Sequence, residues 1–126
     1  MITEDYVSFE TAKLLEEKGF DESTSVNYFV GDDKPRGCVL GEMIHHKKLS
    51  EDTHLIAAPT LGMAMKWLRE VHNIDIGITF RYNDDGRIII YQIFKDGKYK
   101  TGCESGARTY EELVDEAIWI SAKTLI

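Results

Sequence analysis

Apolar residues recur at helical spacing in three parts of the chain. The first pattern follows Ser8, a residue type that caps helix N-termini, and Gly19 is placed to end it. The second opens at Pro59 or Thr60 and stops near Asn73, with apolar positions at Leu61, Ala64, Met65, Leu68 and Val71. The third opens with a capping box, Thr109 to Glu112, and its apolar positions are Tyr110, Leu113, Val114, Ala117, Ile118 and Leu125. These patterns predict three helices.

Between the second and third helices the apolar period changes to two. Residues 74–82 alternate apolar and polar positions, which predicts a half-buried strand, and "NDDG" supplies a reversal. The next segment, "RIIIYQIF", is apolar on both faces, which predicts a central strand that is covered or protected on both sides. Asp96-Gly97 is typical of a two-residue hairpin turn, and a short third strand is expected around residues 99–101. The predicted order is helix, strand, strand, strand, helix.

The first half of the chain carries weaker signals. "VNYFV" and "GCVLGEMI" are typical of short strands around the turn-rich "GDDKPRG", and residues 45–57 are expected to form a long loop. No repeat, low-complexity tract or flexible linker divides the 126 residues. The sequence therefore predicts a single domain, residues 1–126, of the α+β class, with a small antiparallel sheet of three or more strands packed against helices.

Charge is distributed unevenly along the chain. Residues 1–58 contain 6 lysines and arginines against 12 aspartates and glutamates, whereas residues 59–126 contain 9 against 10. Such an acidic field repels phosphates and disfavours nucleic-acid binding, although clustered carboxylates could also mimic a nucleic acid toward a basic protein. No apolar run approaches the roughly 20 residues needed to cross a bilayer. The N-terminus has no basic start and no apolar signal segment, so a cytoplasmic location is expected.

Residues with metal-binding or redox chemistry are few. Cys38 and Cys103 are too few for a disulfide framework and are expected to be buried or semi-buried small apolar residues. His45, His46 and His54 lie near Cys38 in sequence, but their spacing matches no zinc motif. The sequence therefore predicts no metal site and no cofactor.

No catalytic residue is predicted either. The chain has no Gly-x-Ser-x-Gly segment and no phosphate-binding glycine motif. Its paired acids, at residues 32–33, 84–85 and 111–112, lie in turns or at a helix N-terminus, where such residues are structurally favoured. A small enzyme with a site that these motifs do not describe remains an alternative.

Met63 and Trp67 are the candidate partner-binding residues. They lie four residues apart in the second helix, so their side chains are neighbours on one flank of it, beside the main apolar face. Both residue types are favoured at adaptable binding surfaces. The alternative is that both are buried in the core. His72 is expected in the last helical turn, beside the helix C-terminus, rather than as a ligand.

The order of elements in residues 59–126 resembles that of double-stranded RNA-binding domains. Those domains carry a Lys-Lys-x-Ala-Lys segment at the start of their last helix, which grips phosphates. This chain has the segment "ARTYEE" at that point, with two acids in the place of cations. The resemblance therefore implies a similar arrangement in which the basic RNA contacts are lost or altered.

A second resemblance covers nearly the whole chain. The segments "MITEDYVSFETAKLLEEKGFDE", "APTLGMAMKWLREVHNIDIGI" and "TYEELVDEAI" resemble short hypothetical proteins of gut anaerobic bacteria and of their phages or mobile elements. That resemblance implies an α+β fold and a mobile-element context, and supplies no catalytic residues. The expected function is a protein-interaction or accessory module whose partner is a host or phage protein. A homo-oligomer formed through the edge of the short third strand is a further expectation.

Overall fold

A computed structural model describes residues 2–30, 39–42 and 54–126. The chain divides into two compact units, Met1–Thr60 and Leu61–Ile126. The described residues form helices together with two antiparallel three-stranded sheets, so the α+β class is confirmed. The elements are, in order, α1 Phe9–Glu17, β1 Val26–Val30, β2 Val39–Glu42, β3 His54–Ala57, α2 Leu61–His72, β4 Ile74–Asn83, β5 Gly86–Lys95, β6 Lys98–Glu104 and α3 Tyr110–Leu125.

Helix α1 of the first unit begins and ends where the sequence predicts. The Ser8 side chain accepts a hydrogen bond from the Thr11 backbone N–H at 3.3 Å. At the other end Gly19 has a φ of 98°, and the Phe20 N–H donates to the Leu15 carbonyl at 2.9 Å. This pairing is a Schellman motif, which satisfies carbonyls that the helix leaves without partners.

The sheet of the first unit has the order β2-β1-β3, with both pairings antiparallel. Strands β1 and β2 lie within the two segments predicted as strands. The prediction of a loop over residues 45–57 is wrong for residues 54–57, because they form β3 and pair with residues 27–30 of β1. Four residues are too few to display a period, and this strand is stabilised by a partner more than twenty positions away in sequence. Residues 45–53 lie outside the described residues.

The second unit, residues 61–126, has the predicted order of helix, three strands and helix. Its sheet has the order β4-β5-β6, so β5 is central, as predicted. The buried positions of β5 are Ile89, Tyr91 and Ile93, which all lie on one face. Helix α2 packs on β4, and α3 packs on β4, β5 and α2. Both helices therefore cover the same face of the sheet.

Local signals set the bounds of these elements. Asn73, with a φ of 55°, ends α2, and Asp96 and Gly97 have φ values of 53° and 78° in the β5–β6 turn. At the start of α3 the Thr109 hydroxyl accepts from the Glu112 N–H while the Glu112 carboxylate accepts from the Thr109 N–H. All of these features are confirmed predictions.

The strand predicted over residues 74–82 is confirmed as β4, but its apolar face is buried only at the start of the strand. Ile74 is fully buried, whereas Phe80 and Tyr82, on the same face, are exposed. The core of the second unit is instead centred on the helices and β5. Its fully buried side chains include Leu68, Ile74, Tyr91, Ile93, Leu113, Val114 and Ile118. Among the described residues, no helix is both long enough and apolar enough to span a membrane.

Candidate functional site

Met63 and Trp67 are neighbours on α2, but they differ in exposure. Met63 is 42% exposed, whereas Trp67 is only 6% exposed. The edge of the Trp67 ring meets the ring of His72, with centroids 4.7 Å apart. A partner could therefore contact Met63 directly, while Trp67 offers almost no surface to one.

His72 is the last residue of α2 and lies in contact with Trp67 and Lys95. The Lys95 ammonium donates to the His72 backbone carbonyl at 2.6 Å, so it is Lys95 that places positive charge on the carbonyl end of the helix. The Nε2 atom of His72 is buried and has no hydrogen-bond partner among the described residues. Burial, and then the positive charge of Lys95, lower the pKa of His72 below its ordinary value of 6.5.

This lowered pKa predicts a pH-dependent stability. The unfolded chain protonates His72 near pH 6.5 while the folded chain still holds it neutral, so the unfolded state binds more protons below that pH. The free energy of unfolding is therefore not reduced by His72 above pH 6.5, and it decreases as the pH falls from there toward the pKa of His72 in the folded chain. Urea unfolding should show a smaller decrease in free energy between pH 7.5 and 5.5 for His72→Gln than for the wild type. Equal decreases in the two proteins would contradict the prediction.

The sheet face opposite the helices carries apolar side chains. We call this surface the open face and define it as the outward positions of β4, β5 and β6. On β5 its side chains are Ile88, Ile90 and Phe94, which are half-buried, and Gln92, which is exposed. On β6 Tyr99 is 58% exposed, and the edge of its ring meets the ring of Phe94 with centroids 5.8 Å apart. The second face predicted for β5 is therefore apolar, but it is only partly covered.

Two glycines lie in the middle of the open face. Gly77 and Gly102 lie on either side of Gln92 in the β4–β5–β6 register. A Cβ atom on Gly102 would lie 2.7 Å from the Tyr91 carbonyl oxygen and 3.0 Å from the Tyr99 hydroxyl. The Tyr99 side chain therefore extends over Gly102, in space that any larger residue would occupy.

Charged residues lie at the ends of the open face. The Arg81 guanidinium lies 4.0 Å from the Glu104 carboxylate, and both side chains are largely exposed. Asp75 lies at the opposite end, across from Phe94. The middle of the face consists of apolar side chains, glycines, the Thr79 hydroxyl and the Gln92 amide.

A second group of polar residues lies where β6 leads into α3. Cys103 is exposed, which corrects the prediction of a buried or semi-buried thiol. Its position on the outermost strand explains the difference, because the side chain lies on the helix-covered face but at the edge of the sheet. The Arg108 guanidinium donates to its sulfur at 3.4 Å.

The Arg108 guanidinium makes several polar interactions at once. Its guanidinium also donates to the carbonyls of Ser105 and Glu104 and forms an ion pair with Glu116. Burial, followed by the charge of Glu116 and a hydrogen bond to it, raises the pKa of Tyr91 to about 12. These Arg108 donors all bind groups of the chain itself. Arg108 therefore stabilises the connection between β6 and α3.

The residues considered for metal binding are only partly described. Cys38, His45 and His46 lie outside the described residues, and the side chain of His54 does too. Within the described ranges, no group of three or more histidine, cysteine, aspartate or glutamate side chains could hold a metal ion. The absence of a metal site and of a cofactor stays a prediction.

The open face is a candidate surface that was not predicted from the sequence. The signal was present, because every outward position of β5 except Gln92 is apolar. That pattern predicts a strand that is covered or protected on both sides. The second unit has two helices, and both lie on the same face, so none remains for the other.

Comparisons with models of protein families, with curated proteins and with solved structures found no match to this chain.

Proposed function

We propose that this protein is a protein-interaction module without catalytic activity, which acts in the cytoplasm as an accessory protein of a phage or mobile element. We further propose that it binds its partner protein through the open face. The supporting observation is the set of apolar side chains on a sheet face that neither helix of the unit covers. Apolar side chains that are left partly exposed together on one surface are typical of interaction sites. The mobile-element context rests on the resemblance described above.

The distribution of charge on the open face supports a protein partner over a nucleic acid. An aromatic pair, Phe94 and Tyr99, lies in its apolar part, and charges of both signs lie at its ends. Protein interfaces have this anatomy, with an apolar centre and a polar rim. A phosphate backbone would instead require a row of lysines or arginines along the surface.

Affinity capture with matched tyrosine variants tests the proposed surface. The tagged protein would be used on lysate of its own host, alongside Tyr99→Asp on the open face and Tyr82→Asp on the helix-covered face of the same sheet. Tyr82 is 72% exposed, so both substitutions place a charge at an exposed aromatic position. We expect one stoichiometric partner that the wild type and Tyr82→Asp retain at high salt and that Tyr99→Asp loses. Circular dichroism of each variant confirms that it is folded.

Other results of the same capture would overturn the open face as the binding surface. Loss on Met63→Glu with retention on Tyr99→Asp would place the partner on the flank of α2 that the sequence predicts. Release of the partner from every variant at high salt would indicate charge mimicry by the acidic N-terminal half. A protein that captures nothing in stoichiometric amount would contradict an interaction module altogether.

Double-stranded RNA binding is the second candidate function, and the arrangement of the second unit favours it. Two helices cover one face of a three-stranded antiparallel sheet in the order that RNA-binding domains of this kind use. The chemistry opposes it, because Glu111 and Glu112 open α3 and Asp84-Asp85 forms the β4–β5 turn. Titration of a labelled RNA duplex at low salt is expected to show no binding. Saturable binding would support RNA binding as the function.

A further inference from the structure

The two edge strands of the C-terminal sheet differ in how well they are protected from pairing. Strand β6 has seven residues, and its register shifts between Thr101 and Tyr99, leaving Lys100 as an extra residue in a bulge. A bulge with a lysine is a common device that keeps an edge strand from pairing with another chain. The edge that the sequence predicted for self-association is therefore the protected one.

Strand β4 has neither a bulge nor a lysine. It is ten residues long, contains no proline, and pairs with β5 from Ile74 to Asn83 without a register shift. In the described part of the chain β5 is its sole strand partner. Phe80 and Tyr82 on its helix-covered face are exposed, and so are most of its residues. A long, regular and partly apolar edge of this kind is a template for pairing with another strand.

The sequence of β4 is complementary to itself. In an antiparallel pairing with a second copy centred on Ile78, Asp75 lies opposite Arg81 of the second copy, and Arg81 lies opposite its Asp75. The same register sets Ile76 opposite Phe80 and Ile74 opposite Tyr82, so the apolar positions stay on the helix-covered face. Pairings centred two residues away on either strand, at Ile76 or Phe80, or one residue away, at Gly77 or Thr79, do not place the two opposite charges together.

We propose that two copies of this protein associate through β4 in this register and form one continuous six-stranded sheet. A two-fold axis through the Ile78 pair repeats every contact, as in other isologous dimers. The two Asp75–Arg81 pairs fix the register, and they lie on the outward face of the sheet. Arg81 is available for this pairing because its contact with Glu104 is an exposed one at 4.0 Å, which holds it weakly. The proposal does not depend on what the open face binds.

Charge reversal on β4 tests both the dimer and its register. Sedimentation velocity over a range of concentrations should show a monomer–dimer equilibrium for the wild type. Asp75→Arg and Arg81→Asp should each weaken self-association by about tenfold or more, because like charges then face each other at two places. Both positions are exposed, so the variants are expected to fold. An equimolar mixture of the two variants should dimerise again, because each charge reversed on one chain meets its complement on the other.

Lys98→Glu, on the edge of β6, is the matched control and should leave the dimer unchanged. A wild-type protein that stays monomeric at every concentration would overturn the proposal. So would a dimer that survives both single reversals or one that Lys98→Glu disrupts. Failure of the mixed variants to associate would overturn the register. Each of these results is independent of partner capture by the open face.

Discussion

Replacing Trp67 with alanine is expected to lower the free energy of unfolding by about 3–5 kcal/mol. The side chain is 6% exposed and its ring edge packs on His72, so its removal leaves a large cavity in a close-packed region. Urea unfolding followed by circular dichroism measures the loss. The matched control is Met63→Ala, one helical turn away on the same flank and 42% exposed, for which a loss below about 1 kcal/mol is expected.

A Trp67→Ala variant that is no less stable than Met63→Ala would contradict the placement of the tryptophan in the core. The expected result also limits what this variant can show about binding. If the variant is partly unfolded, loss of a partner would report the loss of the fold and not the removal of a contact. Met63→Glu is therefore the better test of the α2 flank, because Met63 is exposed and its replacement disturbs little packing.

The second unit was predictable because its signals are local. The Asp96-Gly97 turn, the Thr109–Glu112 capping box and Asn73 at the end of α2 each act within a few residues. The change of apolar period from helical to two is likewise visible within one segment. Helix α1 is likewise bounded by local signals, Ser8 at its start and Gly19 after its end.

Features that depend on distant residues were not predictable in this way. Strand β3 is too short for a pattern and exists through its pairing with β1. Cys103 looks like a core residue by type, and only its place on an edge strand exposes it. The long β4 was correctly predicted as a strand, but how far the core reaches along it depends on the helices.

The candidate site also combines features that depend on local sequence with features that depend on tertiary packing. Helical spacing correctly makes Met63 and Trp67 neighbours, but which of them faces solvent is decided by tertiary packing. The open face could have been predicted by comparing the number of predicted helices with the number of apolar sheet faces. To bury the apolar residues on both faces of β5, one layer of structure must pack on each face of the sheet. Residues 61–126 contain only two helices, and both pack on the same face. Which face they take cannot be derived from the period of the strand.

Gly102→Ala is expected to destabilise the protein by about 1–3 kcal/mol, the range typical of overpacking. A Cβ atom at this position would lie 2.7 Å from the Tyr91 carbonyl oxygen, closer than such atoms approach in proteins. That oxygen belongs to the backbone of the central strand and cannot turn away as a side chain can. The added methyl group would also meet the Tyr99 hydroxyl at 3.0 Å and displace that ring.

Gly77→Ala provides the matched control, on β4 at the other side of Gln92. The nearest atom to its added Cβ would be the Gln92 carbonyl oxygen at 3.9 Å, an ordinary contact. Because alanine restricts the unfolded chain more than glycine does, we expect this variant to be unchanged or more stable by up to about 1 kcal/mol. Urea unfolding of the two variants should therefore give changes of opposite sign or clearly different size. Equal stabilities would show that the Tyr91 carbonyl and the Tyr99 ring do not lie as close to Gly102 as described, which would contradict the placement of Tyr99 on the open face.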